Sequence, residues 1–277
     1  MTRFQSFWFG RNLPPCQLLC MKSFLDHGHA YDLYAYSSFA VPDGVRLLDA
    51  NEILPRSEVF FYRRGGGAGS VACFANLFRY RLLMLRGGWW VDTDVVCLSS
   101  EVPECQVFLE RESEDLISNA VLKFPKNHPF ISALYEKCRE AGKDLVWKQT
   151  GPTLISALAK QMGLWDQAGL PKHAYPIHYT DALLPVTRSG CAAAYEKTRS
   201  APFLHLWNEI FRRNASSALH NPHNGSFLAD LYERHGVKRR SISSDISWLE
   251  YSARRLRKWL RSFARFAAGR AARHPNP

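Results

Sequence analysis

Apolar positions along the N-terminal part of this chain alternate between two periods. Phe4 to Gly10 is rich in aromatic residues and stops at a glycine, the pattern of a strand. Cys16 to Leu25 places Leu18, Leu19, Met21, Phe24 and Leu25 at three- and four-residue steps, which predicts a helix ended by His27-Gly28. Tyr31 to Tyr36 alternates again, as a strand does. Strand, helix and strand in this order predict a parallel sheet with right-handed crossovers, and so an α/β fold with helices on a central, mostly parallel sheet.

The pattern continues past a glycine-rich segment, Gly65-Gly66-Gly67-Ala68-Gly69. It lacks the Gly-Lys-Ser/Thr ending of a phosphate-binding loop and reads first as a flexible turn. Phe74, Leu77, Phe78 and Leu85 give Val71 to Arg86 one apolar side, and Gly87-Gly88 is its expected stop. Trp89-Trp90-Val91 follows as a short buried strand, then Asp92-Thr93-Asp94, then Val95 to Leu98. Further strands are expected over Gln106–Glu110, Ile117–Phe124 and Ala174–Tyr179. Helices are expected over Pro129–Ala141, Thr150–Met162 and His205–Arg213, the second with Gly151-Pro152 near its first turn. Ser241 to Ser247 is a polar link into a last helix, Trp248 to about Arg270.

Composition narrows the class. The 277 residues are 46% hydrophobic and 13% aromatic, which excludes a chain without a core. No run reaches the ~18 apolar residues of a membrane span, and Met1 to Gly10 does not have the form of a secretory signal. The seven cysteines form no Cys-x-x-Cys pair, so reduced thiols and a cytoplasmic setting are expected. The formal charge of +11 is uneven: residues 238–277 hold 11 Lys/Arg against 2 Asp/Glu. Two units follow, 1–237 as a near-neutral domain and 238–277 as a basic tail. In the tail Leu249, Ala253, Leu256, Trp259, Leu260, Phe263 and Phe266 recur at helical steps with arginines between them. That pattern suits an amphipathic helix on an anionic membrane surface at the inner face of the cell membrane, or one docked on the body. With the charge concentrated there and no recognition motif present, nucleic acid is not an expected partner.

Asp92 and Asp94 carry the candidate chemistry. Two carboxylates two residues apart just past an apolar strand can leave the sheet together and share one hard divalent cation, Mn²⁺ or Mg²⁺. Adjacent anions need a neutraliser, and no Lys or Arg lies between Gly87 and Glu110. A metal is therefore expected there rather than a local ion pair. Val91-Asp92-Thr93-Asp94-Val95-Val96 also satisfies the Asp-x-Asp string of haloacid-dehalogenase phosphatases, although no downstream Lys and Asp-Asp set follows it.

The block from Asn76 through Arg79 and Gly87-Gly88-Trp89-Trp90-Val91 to Asp94 resembles the sugar-nucleotide region of a glycosyltransferase superfamily. Its members include the family 32 enzymes, the α1,4-galactosyl- and N-acetylglucosaminyltransferases and the glucosylating domains of the large clostridial toxins. Phe7-Trp8-Phe9-Gly10, Ile117-Ser118-Asn119-Ala120, Thr150-Gly151-Pro152 and His205-Leu206-Trp207-Asn208 extend the resemblance over about residues 4 to 210. It implies a GT-A fold and a retaining, metal-dependent transfer of a hexose or N-acetylhexosamine. The donor would be a nucleotide sugar, UDP-linked by expectation. The acceptor would be a glycan or lipid-linked glycan, as in surface polysaccharide or lipopolysaccharide synthesis.

The resemblance also implies roles. Asp92 and Asp94 would hold the metal and serve catalysis, with His205 a third ligand, a pyrophosphate contact or a structural residue. Trp8 would stack on the nucleobase or sit in the core, and Trp207 would cover the donor or pack. Arg79, three residues after Asn76 on one helix face, would bind donor. Asn119 would contact the transferred sugar. Family members carry Asp where this chain has Asn76. The amide keeps an acceptor, adds donors and loses a charge, so altered donor choice or a non-catalytic adaptor are alternatives.

Overall fold

The computed structural model describes residues 1–239; the tail helix expected from Trp248 lies outside them. In chain order the elements are β1 (Arg3–Trp8), α1 (Pro15–Asp26), β2 (Ala30–Ala35), β3 (Val45–Asp49), α2 (Ala72–Arg86), β4 (Gly88–Val91), β5 (Val95–Cys97), β6 (Val121–Phe124), α3 (Pro129–Glu140), α4 (Leu154–Gln161), α5 (Cys191–Thr198), β7 (Phe203–His205), α6 (Asn208–Arg213) and α7 (Phe227–Arg234). Five strands form one sheet in the order β3-β2-β1-β4-β6. All neighbours are parallel except the antiparallel pair β4–β6. The fold is thus α/β, with helices packed on both faces of a mostly parallel sheet.

Chain direction decides where a ligand can enter. From β1 the chain builds outward through β2 and β3, then returns to the other side of β1 as β4. Crossovers therefore leave β1 and β4 in opposite senses, opening a crevice beyond their C-terminal ends. Trp8 closes β1, and Asp92 follows β4 directly.

Alternation fills both faces. Trp90 packs with Phe7, Phe78 and Leu122 on the α2 side, and Trp89 with Phe4, Phe24 and Phe203 on the α1 side. Both tryptophans are buried, as expected for a strand covered on two faces. The Gly87-Gly88 stop is a steric requirement. Gly87 lies at φ 65°, and a Cβ there would stand 2.5 Å from Lys126 N. Between α2 and β4 the chain thus turns against backbone, and Gln5 Nε2 pins the turn by donating to Gly87 O at 2.8 Å.

Other segments depart from the sequence pattern. β3 is half-buried and shows no clear alternation, so the sequence did not announce it. Of Gln106–Glu110 and Ile117–Phe124 only Val121–Phe124 pairs continuously, with isolated bridges at Phe108–Lys123 and Arg111–Ile117. Ala174–Tyr179 is not a strand; Ala174 O takes one bond from His205 N at 3.1 Å. The expected helix from His205 begins only at Asn208, because His205 completes a two-stranded pair, β5–β7. A second apolar cluster unites Leu204, Leu206, Phe211, Phe227, Leu228 and Leu231 beside the sheet.

This packing disfavours protonation of three histidines. Burial lowers the pKa of His29, His128 and His235 below the ordinary 6.5, and for His235 it outweighs the bond to Asp26. His128 Nδ1 caps α3, accepting from Phe130 N at 3.3 Å ahead of Pro129. As pH falls through the unfolded value, the unfolded chain binds these protons first, so stability is lost on the acid side. These three are expected to lower the Tm between about pH 7.5 and about pH 5.5, while His205, whose pKa is raised, opposes the drop. His128→Asn, a cap that does not titrate, is expected to lessen that drop; an identical drop in the variant would show that His128 does not contribute.

Candidate functional site

The crevice beyond β1 and β4 is a cleft of about 610 Å³, within the usual size of a small-ligand site. Trp8, Asn76, Arg79, Asp92, Asp94, Asn119, His205 and Trp207 all line it. Residues separated by some two hundred positions are thus brought to one place by the sheet order.

Asp92 sits on a turn fixed by two backbone bonds, Asp92 N to Ala120 O at 2.8 Å and Val95 N to Asp92 O at 3.1 Å. Its Oδ1 accepts from Trp90 Nε1 at 2.8 Å and from Arg79 Nη2 in a short ion pair. The partner was hidden from a reading of the Gly87–Glu110 stretch because it lies thirteen residues upstream, on α2. Arg79 is 4% exposed, and its guanidinium also stacks over the Trp90 ring. Its other nitrogen, Nη1, donates to Asn76 Oδ1 at 2.7 Å. In this structure Arg79 therefore positions Asp92 from behind.

The amide of Asn76 is used on both sides. Oδ1 accepts from Arg79 and from Asn119 Nδ2 at 2.9 Å, while Nδ2 donates to Thr150 Oγ1 at 3.3 Å. Asn119 Nδ2 also reaches Tyr80 OH at 3.1 Å, which in turn donates to Thr150 O at 3.1 Å. Gly151 leaves room for this network; a Cβ there would lie 3.2 Å from Asn76 Nδ2. A carboxylate at position 76 could still accept from Arg79, Asn119 and the Thr150 hydroxyl, but it would place a second charge beside Asp92.

Asp94 is held from the opposite wall. Its Oδ2 accepts from Asn208 N, at the start of α6, at 2.9 Å and faces His205 Nε2 at 3.3 Å. Leu206 N donates to Asp94 O at 2.9 Å, fastening β7 to the turn. Trp207 adopts the left-handed conformation at φ 56°, which costs a non-glycine residue ~1–2 kcal/mol. Its indole donates to Ile177 O at 2.9 Å and its ring packs on His205 at 4.3 Å, so it both packs and lines the cleft. Trp8 Nε1 donates to Asn12 O at 3.2 Å, its half-buried ring lying against Gly10, where a Cβ would strike it.

The two carboxylates titrate apart. Burial raises the pKa of Asp92, as does Asp94, with Arg79 opposing. Burial would raise Asp94 too, but the His205 imidazole and the Asn208 amide outweigh it and hold Asp94 below the ordinary value. Burial would lower His205, and the Asp94 charge reverses this.

Asp92, Asp94 and His205 each offer one donor atom within 4.8 Å of the others. Two carboxylates and one imidazole are a suitable set for a divalent ion such as Mn²⁺. His205 Nδ1 is buried with no hydrogen-bond partner among the described residues, so the ring is not committed elsewhere. The residues present fit a metal.

Reading along the sequence missed part of the wall. Glu112, Lys148, Arg212 and Arg213 line the cleft, and none stands in a segment that announces it. Of the other arginines before Asp92, Arg64 pairs with Asp144, Arg86 with Glu52, and Arg81 stacks on Tyr135. In the glycine-rich loop, Ala68, Gly69 and Ser70 donate their N–H groups within the loop or to Tyr62 O. Gly67 is there because a Cβ would meet Trp147 at 2.6 Å.

No family model and no curated protein matches this chain. Solved structures similar to it include a PaToxG glycosyltransferase, at 12% identity over 58% of this chain and 68% of that one, with a TM-score of 0.43. Another is the apo-form glycosyltransferase GlyE of Streptococcus pneumoniae TIGR4, at 11% identity over 87% of this chain, with a TM-score of 0.42. The chain spans 66% of the length of GlyE.

Removing Arg79 would leave Asp92 without its buried counter-charge and Asn76 Oδ1 with only the Asn119 bond among the described residues. Arg79→Met is expected to destabilise the fold by ~3–5 kcal/mol, measured by urea unfolding. A loss below ~1 kcal/mol would show that the pair is not structural.

Proposed function

We propose that the protein is a metal-dependent glycosyltransferase of GT-A type, moving a hexose or N-acetylhexosamine from a nucleotide sugar to a glycan acceptor. The observation that carries this reading is the placement of Asp92, Asp94 and His205 at the switch-point crevice of the sheet, in a cleft with aromatic and basic walls. A nucleotide-sugar donor presents a base to stack, a diphosphate to neutralise and a sugar to orient. Trp8 and Phe9 offer stacking surface, and Arg212 and Arg213, which share Glu209 at the cleft wall, offer cations for an anionic ligand.

Transfer breaks the bond between the anomeric carbon and the diphosphate oxygen and forms one to an acceptor hydroxyl oxygen. The leaving diphosphate takes the electron pair, and the hydroxyl proton is released. Asp92, Asp94 and His205 would hold the Mn²⁺ or Mg²⁺, which when bound supplies positive charge to the leaving diphosphate. Arg79 fixes Asp92, and the α6 N-terminus fixes Asp94, so neither carboxylate must reorganise as charge develops. Asn119, held by Asn76 and Tyr80, presents a fixed polar edge to the sugar. The resemblance in sequence further implies retention of the anomeric configuration and a UDP-linked donor.

The reading is tested by thermal shift of the purified protein with Mn²⁺ and a panel of UDP-sugars, followed by donor hydrolysis. Mn²⁺ and a UDP-sugar together are expected to raise the Tm more than either alone. Asp94→Asn is expected to reduce donor turnover by at least about a hundredfold. Absence of binding by every sugar nucleotide, with no effect of Asp94→Asn, would refute it.

The sequence of the tail supports a peripheral site of action. A cationic, aromatic-bearing segment would hold the domain at an anionic membrane surface, where a lipid-linked acceptor resides. Deleting residues 248–277 is expected to abolish co-sedimentation with phosphatidylglycerol-containing vesicles; unchanged co-sedimentation would remove the membrane from the proposal.

A further inference from the structure

Two glutamates two residues apart on one extended segment are buried in opposite ways. Glu110 is fully enclosed and fully bonded. It accepts from the backbone N–H groups of Lys172, His173 and Ala174 at 2.9, 2.7 and 2.6 Å, and it meets His173 Nδ1 at 3.2 Å. That set of bonds explains its burial as a staple for the 172–174 segment. Glu112 is 3% exposed, and among the described residues its carboxylate is paired with Lys148 Nζ alone, at 3.5 Å. A buried carboxylate held by one long contact is an expensive arrangement for folding.

The lysine that meets it is also held at a cost. Lys148 lies at φ 72°, a left-handed conformation that a side chain disfavours, and its ammonium stands 5.4 Å from the centre of the Tyr179 ring. Strain on one side of the pair and thin solvation on the other both mark a site arranged for something other than stability.

Glu112 also has a distinctive position. It lines the main cleft and, from its other side, a second cavity of about 400 Å³. The outer cavity is walled by Ser113, Leu170, Pro171, Tyr175 and Pro176. Tyr175 backs onto His205 and Trp207, at 5.8 and 5.9 Å between ring centres, so the outer cavity adjoins the carboxylate site. Among the described residues, Glu112 is the one that both cavities share.

We propose that the outer cavity is the acceptor subsite of the transferase and that Glu112, steadied by Lys148, orients the acceptor sugar. This rests on the glycosyltransferase reading above. A carboxylate can accept from two neighbouring hydroxyls of a sugar ring, while Lys148 holds it from the main-cleft side. The apolar surfaces of Leu170, Pro171 and Pro176 suit the C–H faces of a pyranose. An incoming polyhydroxylated ligand supplies the hydrogen bonds that Glu112 lacks, so binding there is specific for a sugar and weak for an apolar alcohol.

Wild type and Glu112→Gln are compared for donor hydrolysis to water and for transfer to a panel of methyl and p-nitrophenyl hexosides. In Glu112→Gln the ratio of transfer to hydrolysis is expected to fall about tenfold or more, through a rise in acceptor KM rather than a fall in kcat. A merely structural role would lower both rates together and leave the ratio unchanged, which would overturn the proposal. Ser113→Trp, which narrows the outer cavity without altering the buried pair, is expected to lower the same ratio and carries the test if Glu112→Gln does not fold. A wild type that hydrolyses donor but transfers to no sugar of the panel also overturns the acceptor subsite. A wild type that neither binds nor hydrolyses any sugar nucleotide instead refutes the transferase reading, and the subsite with it.

Discussion

Two carboxylates cannot be left bare at the end of a buried strand. Asp92 and Asp94 repel each other, and each loses hydration as the sheet closes over it. The surrounding fold is arranged as the answer to that cost. Arg79 and the Trp90 indole hold Asp92 from the α2 side, and His205 with the first amide of α6 holds Asp94 from the other. Each partner comes from a different element, so the site exists only when α2, β4, β7 and α6 are all in place.

That division leaves one face of the pair open. Asp92 is tied by one oxygen to Arg79 and Trp90, and Asp94 meets His205 across the gap. The donors that converge there are hard oxygens and one imidazole, a suitable set for a divalent cation. The network behind Arg79 is made of amides and hydroxyls, which add hydrogen bonds without adding charge. Asn76 belongs to that logic: its amide meets Arg79, Asn119 and Thr150 together without adding a charge beside Asp92.

The same principle separates residues that hold the structure from residues that await a ligand. Glu110 is buried and saturated with bonds, Glu112 buried and nearly bare. Lys148 and Trp207, both strained at positive φ, line the cleft along with it. Segments with no regular pattern, around residues 112, 148 and 175, form this side of the site. Their residues are polar, isolated in the sequence and unconnected by any period, so nothing local marks them.

Much of the centre was legible beforehand. Period-two and period-3.6 patterns located β1, α1, β2, α2 and β4 because each must bury a defined face. Gly87-Gly88 marked the turn because only glycine fits against Lys126. The eight residues picked out by pattern and resemblance meet in one cleft. The sequence by itself determined the central sheet's first strands and the pair of carboxylates at its edge, since those depend on local periodicity and steric need. Tertiary structure alone decided what neutralises that pair, and which of the arginines does so. It also decided where His205 ends a strand rather than begins a helix, and that Glu112 stands between two cavities. Those outcomes depend on contacts between distant segments, and burial and charge compensation have no local signature in a chain.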